Sequence, residues 1–582
     1  MQTPLFGQLL KIGFFAVAIV GVGCSAFRSG DQDSSSIKDL LVAPDPPDFI
    51  GDAAVPFGLT YARVQGVGAV KGLNRTGGPA LPSEQRDRLL AEMRTHDVAQ
   101  PEKYLESERT AMVVTETVLP PGLKKGTRLD AMIQTPPRSQ VSSLQNGWLM
   151  PARMQEMRRL EGSIKTSDVA AIGTGAVVVR GIHAGNGADE MMLEGVILGG
   201  AVAQINRPVG LVIRPKYQHV LLSAQFAKAI NKRFYFYDGS TRRGIATARE
   251  DDFVQIEVPP RYEANVHRLL AVVRAVHVKR GDGGLRVLLD ELSKQMGEPT
   301  TAAEAALALE ALGDDGVPVL IAALSKNDKE LRFYAAEALA YLDREEAIEP
   351  LIELARDESA FRYACFKALE GMPQISVNDA LFGLMDQSSN EVRYGAFVTL
   401  RERPSARSMI GGQRFGDGYF VHALPSKGET LIACSLTKRP EIVVFGTETR
   451  IDLKESTVSR GGIVIREESP GKLKLSRFYA DQPDRSATAS NNIVSLCMAV
   501  ADMGGTYSDC LDLLRTLKSE KAIAARLAFD PLPRPLRTYY RDGEAADEPT
   551  GKRESLGPTD ISPEPPATKS LLDRMQWWKS EP

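Results

Sequence analysis

VPVLIAALSKNDKELRFYAAEALAYLDREE (residues 317–346), AIEPLIELARDESAFRYACFKALEGMPQIS (347–376) and VNDALFGLMDQSSNEVRYGAFVTLRERP (377–404) are three versions of one unit. Leu324, Leu354 and Leu384 stand thirty residues apart, as do Val317, Ala347 and Val377. Later in each unit come Leu331-Arg332-Phe333, Phe361-Arg362-Tyr363 and Val392-Arg393-Tyr394. A looser unit precedes them, with Leu288, Leu289 and Leu292 and then the alanine-rich run Thr301–Leu312, so the pattern runs from Gly284 to Pro404. Apolar residues spaced i, i+3, i+4, i+7 put one stripe on each helix. Gly313–Gly316, Asn327-Asp328, Asp357-Glu358 and Ser388–Asn390 break the helices. Each unit is thus a helix pair that buries its stripe only against neighbouring pairs, which is the logic of an α-solenoid.

The units resemble HEAT-like repeats, and that resemblance implies a surface for protein partners rather than chemistry. Arg332, Arg362 and Arg393 recur at one helix position. They would form either a basic ladder facing an acidic partner or ties from one unit to the next through Asp and Glu.

The rest of the chain is of a different kind. Its 582 residues exceed one core, so several domains are expected. The net charge of −3 carries no broad footprint for nucleic acid or anionic lipid, and no nucleic-acid partner is expected. Residues 1–28 read as an export signal: Lys11, the short apolar run Ile12–Gly23, then Cys24-Ser25-Ala26. Gly21-Val22-Gly23-Cys24 resembles a bacterial lipobox, in which Cys24 would be lipidated and could anchor the protein at the outer membrane. It departs from that pattern at Gly21. Alternatively, Cys24-Ser25-Ala26 is a cleavage site that releases a soluble protein. Residues 29–48 are a Ser-, Asp- and Pro-rich tether.

Residues 49–280 hold short β-type runs, Ala111–Leu119, Arg128–Gln134, Val169–Val179 and Glu194–Ile205. Helical spacing follows over Tyr217–Arg233, a strand over Phe253–Val258 and a further helix over Glu263–Val276. An α+β domain fits this order. Arg63-Val64-Gln65-Gly66-Val67 leading into Gly72-Leu73-Asn74-Arg75-Thr76-Gly77-Gly78 resembles the start of the flagellar basal-body P-ring protein family. Thr115–Gly126 with Arg128-Leu129-Asp130, Gly147-Trp148-Leu149-Met150-Pro151, Ala176-Val177-Val178-Val179, Ala227-Lys228-Ala229-Ile230-Asn231 and Val258-Pro259-Pro260-Arg261-Tyr262 resemble later segments of that family, in the same order. The family's acidic residue ahead of the Ala227–Asn231 helix is replaced here by Pro215-Lys216-Tyr217.

Residues 405–535 resemble the remainder of the family. Strand-like pieces lie at Glu448–Ile451 and Gly461–Ile465, and two short helices at Asn492–Met503 and Ser508–Leu517 flank Gly504-Gly505-Thr506. The solenoid (281–404) therefore reads as an insertion splitting a P-ring-like protein, and residues 536–582 as a disordered, acidic, Pro-rich tail.

A search for chemistry yields little. Gly66-Val67-Gly68 with Gly72 has the wrong spacing for a dinucleotide loop, and a tight turn with close backbone approach explains the glycines better. The histidines are scattered singly, without metal-ligand spacing. No catalytic, metal or cofactor residues are expected, and no cofactor. Cys497 and Cys510 lie on consecutive helices that an αα-hairpin would bring together, and an oxidising compartment would allow a disulfide there.

The expected fold is thus multidomain α+β, P-ring-like domains with an inserted all-α HEAT-like solenoid. The resemblance implies a non-enzymatic structural subunit of the periplasm and flagellar basal body. Its copies would form a ring-shaped homo-oligomer around the rod, beside other basal-body proteins. The alternative is an extracytoplasmic scaffold lipoprotein that binds protein partners through its repeats, outside any flagellum.

Overall fold

The computed structural model describes residues 43–160, 163–182, 192–279, 284–416, 418–446, 449–453, 457–478 and 483–539. The described residues from Pro46 onward fall in one compact unit. Cys24 and the 536–582 tail beyond residue 539 lie outside the described residues.

The chain enters through β1 (Ala54–Phe57) and the long β2 (Ala62–Lys71). Helix α1 (Glu84–Thr95) follows, its Ser83 side chain accepting from Arg86 N–H. Then come β3 (Thr110–Leu119), β4 (Arg128–Gln134), β5 (Trp148–Leu160), β6 (Ser163–Ala176), β7 (Val178–Val179) and β8 (Glu194–Ala203). Their order is β4-β3-β2-β5-β6-β8-β7, every pairing antiparallel, and β4 also pairs with β8. Six of these strands therefore close on themselves as a barrel, which leaves no free edge among them. Gly66 and Gly68 lie inside β2 rather than in the turn expected for them. The close approach holds: a Cβ on Gly66 would fall 2.1 Å from the Arg153 carbonyl oxygen of β5. Only Gly72, at φ +79°, turns the chain out of the strand.

A second sheet has the order β1-β9-β13-β12, with β9 (Val209–Ile213), β12 (Ala246–Ala248) and β13 (Phe253–Ile256). Between β9 and β12 run α2 (Val220–Arg233) and a hairpin of β10 (Tyr235–Asp238) and β11 (Thr241–Gly244). Helix α3 (Val266–Arg274) then leads to the array: α4 (Gly284–Gln295), α5 (Ala302–Leu312), α6 (Val317–Leu324), α7 (Lys329–Tyr341), α8 (Ile348–Asp357), α9 (Arg362–Gly371), α10 (Ser376–Leu384) and α11 (Asn390–Glu402). Leu324, Leu354 and Leu384 each end up in the last turn of α6, α8 and α10, which is why their spacing exposed the repeat. Helices pack as α6 on α7, α8 on α9 and α10 on α11, and each pair touches the next. Asp328 and Ser389 cap α7 and α11, accepting from the N–H groups of the first turn.

After the array, β14 (Gln413–Phe415), β15 (Tyr419–Leu424), β16 (Leu431–Cys434) and β17 (Glu441–Phe445) form a mixed sheet. The last strand, β22 (Arg526–Phe529), completes it in the order β14-β15-β17-β16-β22. Strands β18 (Val458–Arg460), β19 (Ile463–Ser469), β20 (Lys472–Arg477) and β21 (Arg485–Ser490) make an antiparallel sheet. The helices α12 (Ile493–Asp502) and α13 (Tyr507–Ser519) follow.

The five-stranded sheet is buried on both faces. Alternate residues of a strand point to opposite sides. Leu431, Ala433, Val443 and Phe445 accordingly join the core of the array and α3, while Ile432, Cys434, Ile442 and Val444 join the core of the barrel, α12 and α13. Burial on both faces explains why LIAC and EIVVF are unbroken apolar runs apart from Glu441.

Candidate functional site

Two junctions hold the array to the rest of the molecule. At its entry, Arg268 of α3 lies between two carboxylates. It donates to Glu310 of α5 at 2.6 and 3.0 Å and pairs with Glu337 of α7 at 2.5 Å. The Tyr262 hydroxyl donates to Glu310 at 2.6 Å, and the Tyr262 ring stacks on Tyr341 at 4.8 Å. Burial alone would lower the Arg268 pKa, but the two carboxylates outweigh it and hold it above the ordinary arginine value. Burial pushes the Glu337 carboxyl up, with Arg268 opposing.

At its exit, α9 and α11 face the barrel loops and the five-stranded sheet across a cleft of about 1160 Å³. Lys124 and Arg128 come from the barrel side, Lys367 and Arg401 from the array, Lys438 and Arg439 from the sheet. Several are already neutralised: Lys124 by Glu263, Lys367 by Glu370 at 2.7 Å, and Arg401 by Glu402 and the fully buried Glu441. The Arg439 guanidinium lies over the Phe420 ring at 3.8 Å. Asp130 of β4 accepts from the backbone N–H of Lys438 at 2.8 Å and of Gly199 at 2.7 Å, and this joins the barrel to the segment after the array.

Beside this cleft, His422 is buried under Phe397 (ring centroids 4.9 Å) with Glu441 at 3.8 Å. Burial is the main cause that pushes its pKa down to about 4, with Arg439 and Arg401 adding to it. An imidazole depressed in the fold and ordinary (about 6.5) when unfolded takes up its proton preferentially on unfolding. Its contribution is complete above about pH 6.5 and is lost as the pH falls to about 4, up to about 3 kcal/mol in all. His422→Phe is therefore expected to flatten the fall of melting temperature between pH 7 and 4.5. Parallel melting curves for variant and parent would refute it.

The recurrent arginines turn inward. Arg362 donates to the Ala355 and Arg356 carbonyls at the end of α8 and to Glu391 of α11 at 2.9 Å. Arg393, fully buried, donates to the Met385 carbonyl after α10, the Glu429 carbonyl and Ser426 Oγ. Arg332 pairs with Glu353 of α8 at 2.6 Å. Each has a partner later in the chain, and Arg362 and Arg393 also reach back to carbonyls that the end of the preceding helix leaves open. Of the two readings of these arginines, Arg362 and Arg393 have the geometry of internal ties.

Cys497 and Cys510 do come together on α12 and α13, both buried, as free thiols. The Cys510 sulfur shares a hydrogen bond with the Tyr419 hydroxyl at 3.2 Å. Among the described residues no group of His, Cys, Asp and Glu could hold a metal ion, and no helix is long and apolar enough to cross a membrane. Arg268, Glu310, Glu337, Arg401 and Glu441 were not singled out from sequence. Their signal was there, as charges set inside apolar runs such as LALEAL and EIVVF.

The segments on either side of the array complete one body. Ser508 Oγ of α13 donates to the Val177 carbonyl at 3.0 Å, and Asn146 and Gln145 ahead of β5 donate to Asp509 and Asp512 of α13. Residues 50–301 match the family model described as flagellar P-ring protein. Over these residues the chain is similar to flagellar P-ring proteins. Residues 285–370 match HEAT repeats.

Relatives agree. The chain is 29% identical over 236 residues to the flagellar P-ring protein of Pseudothermotoga lettingae, which covers 39% of this chain and 65% of that one. It is 25% identical over 251 residues to that of Thermotoga maritima, 42% of this chain and 70% of the relative. With that of Paramagnetospirillum magneticum it shares 28% over 326 residues, 52% and 74% of the two chains. The chain thus spans about two thirds of the length of the first P-ring relatives it matches. The matched segment contains both β2, with its Arg63–Val67 motif, and Arg268, so the tie to the array is rooted in it.

Proposed function

We propose that this chain is a structural, non-enzymatic subunit of a P-ring-like assembly, exported to the periplasm, whose copies close into a ring around the flagellar rod. The observation that carries the reading is the P-ring match over residues 50–301, with the segment after the array packed into the same barrel core. Ring closure needs one face of a subunit to fit the opposite face of the next. The helical array, read as a HEAT-like solenoid, would add a partner-binding surface on the ring's outside. Lipidation at Cys24 would hold the subunit at a membrane.

Basal bodies purified from the native cells, imaged in negative stain with the protein located by immunogold, test this. Label on a ring around the rod is the expected result. Flagellar rings free of label, with the protein elsewhere in the envelope, would overturn it in favour of a scaffold lipoprotein.

A further inference from the structure

Helix α2 presents an unusual outward face. Val220, Leu221, Ala224, Gln225, Lys228 and Lys232 are its exposed positions, with Val220 68% and Leu221 57% exposed. These residues recur at helical spacing, so the face runs from apolar at the N-terminal end to basic at the C-terminal end. Two adjacent bare aliphatic side chains leave apolar surface at this end of the helix that a partner could cover.

The basic end opens into a groove of about 1150 Å³ between α2, the edge strand β12, residues 276–278 and the end of α5. Its floor is small and apolar: Ala227, Ala246, Ala248, Val276, Val278 and Leu312. Four cations line it, Lys228, Lys232, Arg233 and Arg242, and none of its lining residues is acidic. Asp314, two residues past Leu312, pairs with Arg344 at 2.7 Å. Two buried polar atoms of the lining have no hydrogen-bond partner, one Nη of Arg233 and Nδ1 of His277. Arg233 is otherwise held in place by its Nε donating to the Glu310 carbonyl at 3.1 Å.

One wall is prepared as well. Arg242 stacks over Tyr235 at 3.7 Å and donates to the Lys232 carbonyl at 3.0 Å, which fixes its guanidinium beside the groove. Tyr237 on the same hairpin is 67% exposed. At the edge strand, the Asn231 side chain accepts from Ala246 N–H at 2.7 Å and donates to its carbonyl at 2.8 Å. The edge is thus already occupied at that residue, which argues against an added β-strand as the occupant.

We propose that this groove and the α2 face dock an acidic amphipathic segment of a partner protein. Its apolar end rests on Val220 and Leu221, and its carboxylates lie among Lys228, Lys232, Arg233 and Arg242. Complementary charge sets the direction of the docked segment, and the apolar floor supplies contact area. This site is independent of the ring proposal, because it rests on α2 and its neighbours alone.

The test is fluorescence anisotropy of the full chain with a labelled peptide carrying two leucines at one end, four glutamates at the other and alanines between. Saturable binding is expected. It should weaken with salt, fall at least tenfold in the double variant K228E/K232E, and fall in L221D. Both lysines and Leu221 are exposed, so melting of the variants should match the parent. Binding that the charge reversal leaves unchanged, equal binding of the same peptide with lysines for glutamates, or no binding at millimolar peptide would each overturn the proposal. Self-association of the chain that K228E/K232E abolishes, without peptide binding, would also overturn it and assign the face to a second copy.

Discussion

Arg268→Ala should destabilise the protein by about 3–5 kcal/mol, because it strips the one cation from between two buried carboxylates. Glu310 is 0% exposed and Glu337 6% exposed, and neither can turn to water without opening the packing of α5 and α7. The second arm of the prediction separates charge from packing. The triple variant R268M/E310Q/E337Q removes the uncompensated charge while keeping side-chain volume, and it should recover most of the loss. Urea denaturation followed by far-ultraviolet circular dichroism reads both. A loss below about 1 kcal/mol for the single variant, the range of an exposed pair, would sink the argument.

Arg393→Ala is expected to cost on the order of 3 kcal/mol. The side chain is fully buried, bonds two carbonyls and Ser426, and stacks over Phe445 at 4.9 Å. Its removal leaves the Met385 and Glu429 carbonyls without that donor and a void at the end of the array. Arg393→Lys keeps the charge but cannot reach three acceptors with one ammonium, so it should recover less than half of the loss. Full recovery by lysine would mean that charge alone matters at this position. The same denaturation measurement decides it.

The array was legible because its signal is local and repeated. Leu324, Leu354 and Leu384 announce a period that needs no knowledge of what lies across from them. Strands Thr110–Leu119 and Arg128–Gln134 were legible from partial alternation and the Pro136-Pro137 break. Strand β2 was not, because Gly66 and Gly68 look like turn residues until Arg153 of β5 is seen lying against them. That approach is a long-range fact with no local trace. The five-stranded sheet was missed for a similar reason. LIAC and EIVVF are too short and too uniformly apolar to distinguish strand from buried helix. The recurrent arginines were located from sequence with ties to the next unit as one of their two readings, but the helix-end carbonyls that Arg362 and Arg393 also reach were not. Whether a guanidinium faces solvent or a carbonyl one turn away depends on how closely the next unit packs.

The doubly covered sheet also bears on how the chain is made. Its strands β15, β16 and β17 come after the array, and β22 lies within the final described stretch, yet they form the middle layer between the two largest cores. Neither core is complete until the C-terminal third of the chain has been made. Until then Phe397, which packs against His422 of β15 and Phe445 of β17, is ahead of the strands that cover it. Such late, long-range closure is slow and leaves apolar surface open to aggregation. A chain stopped short of residue 445 is therefore expected to aggregate where the full chain stays in solution, as sedimentation of the two would read.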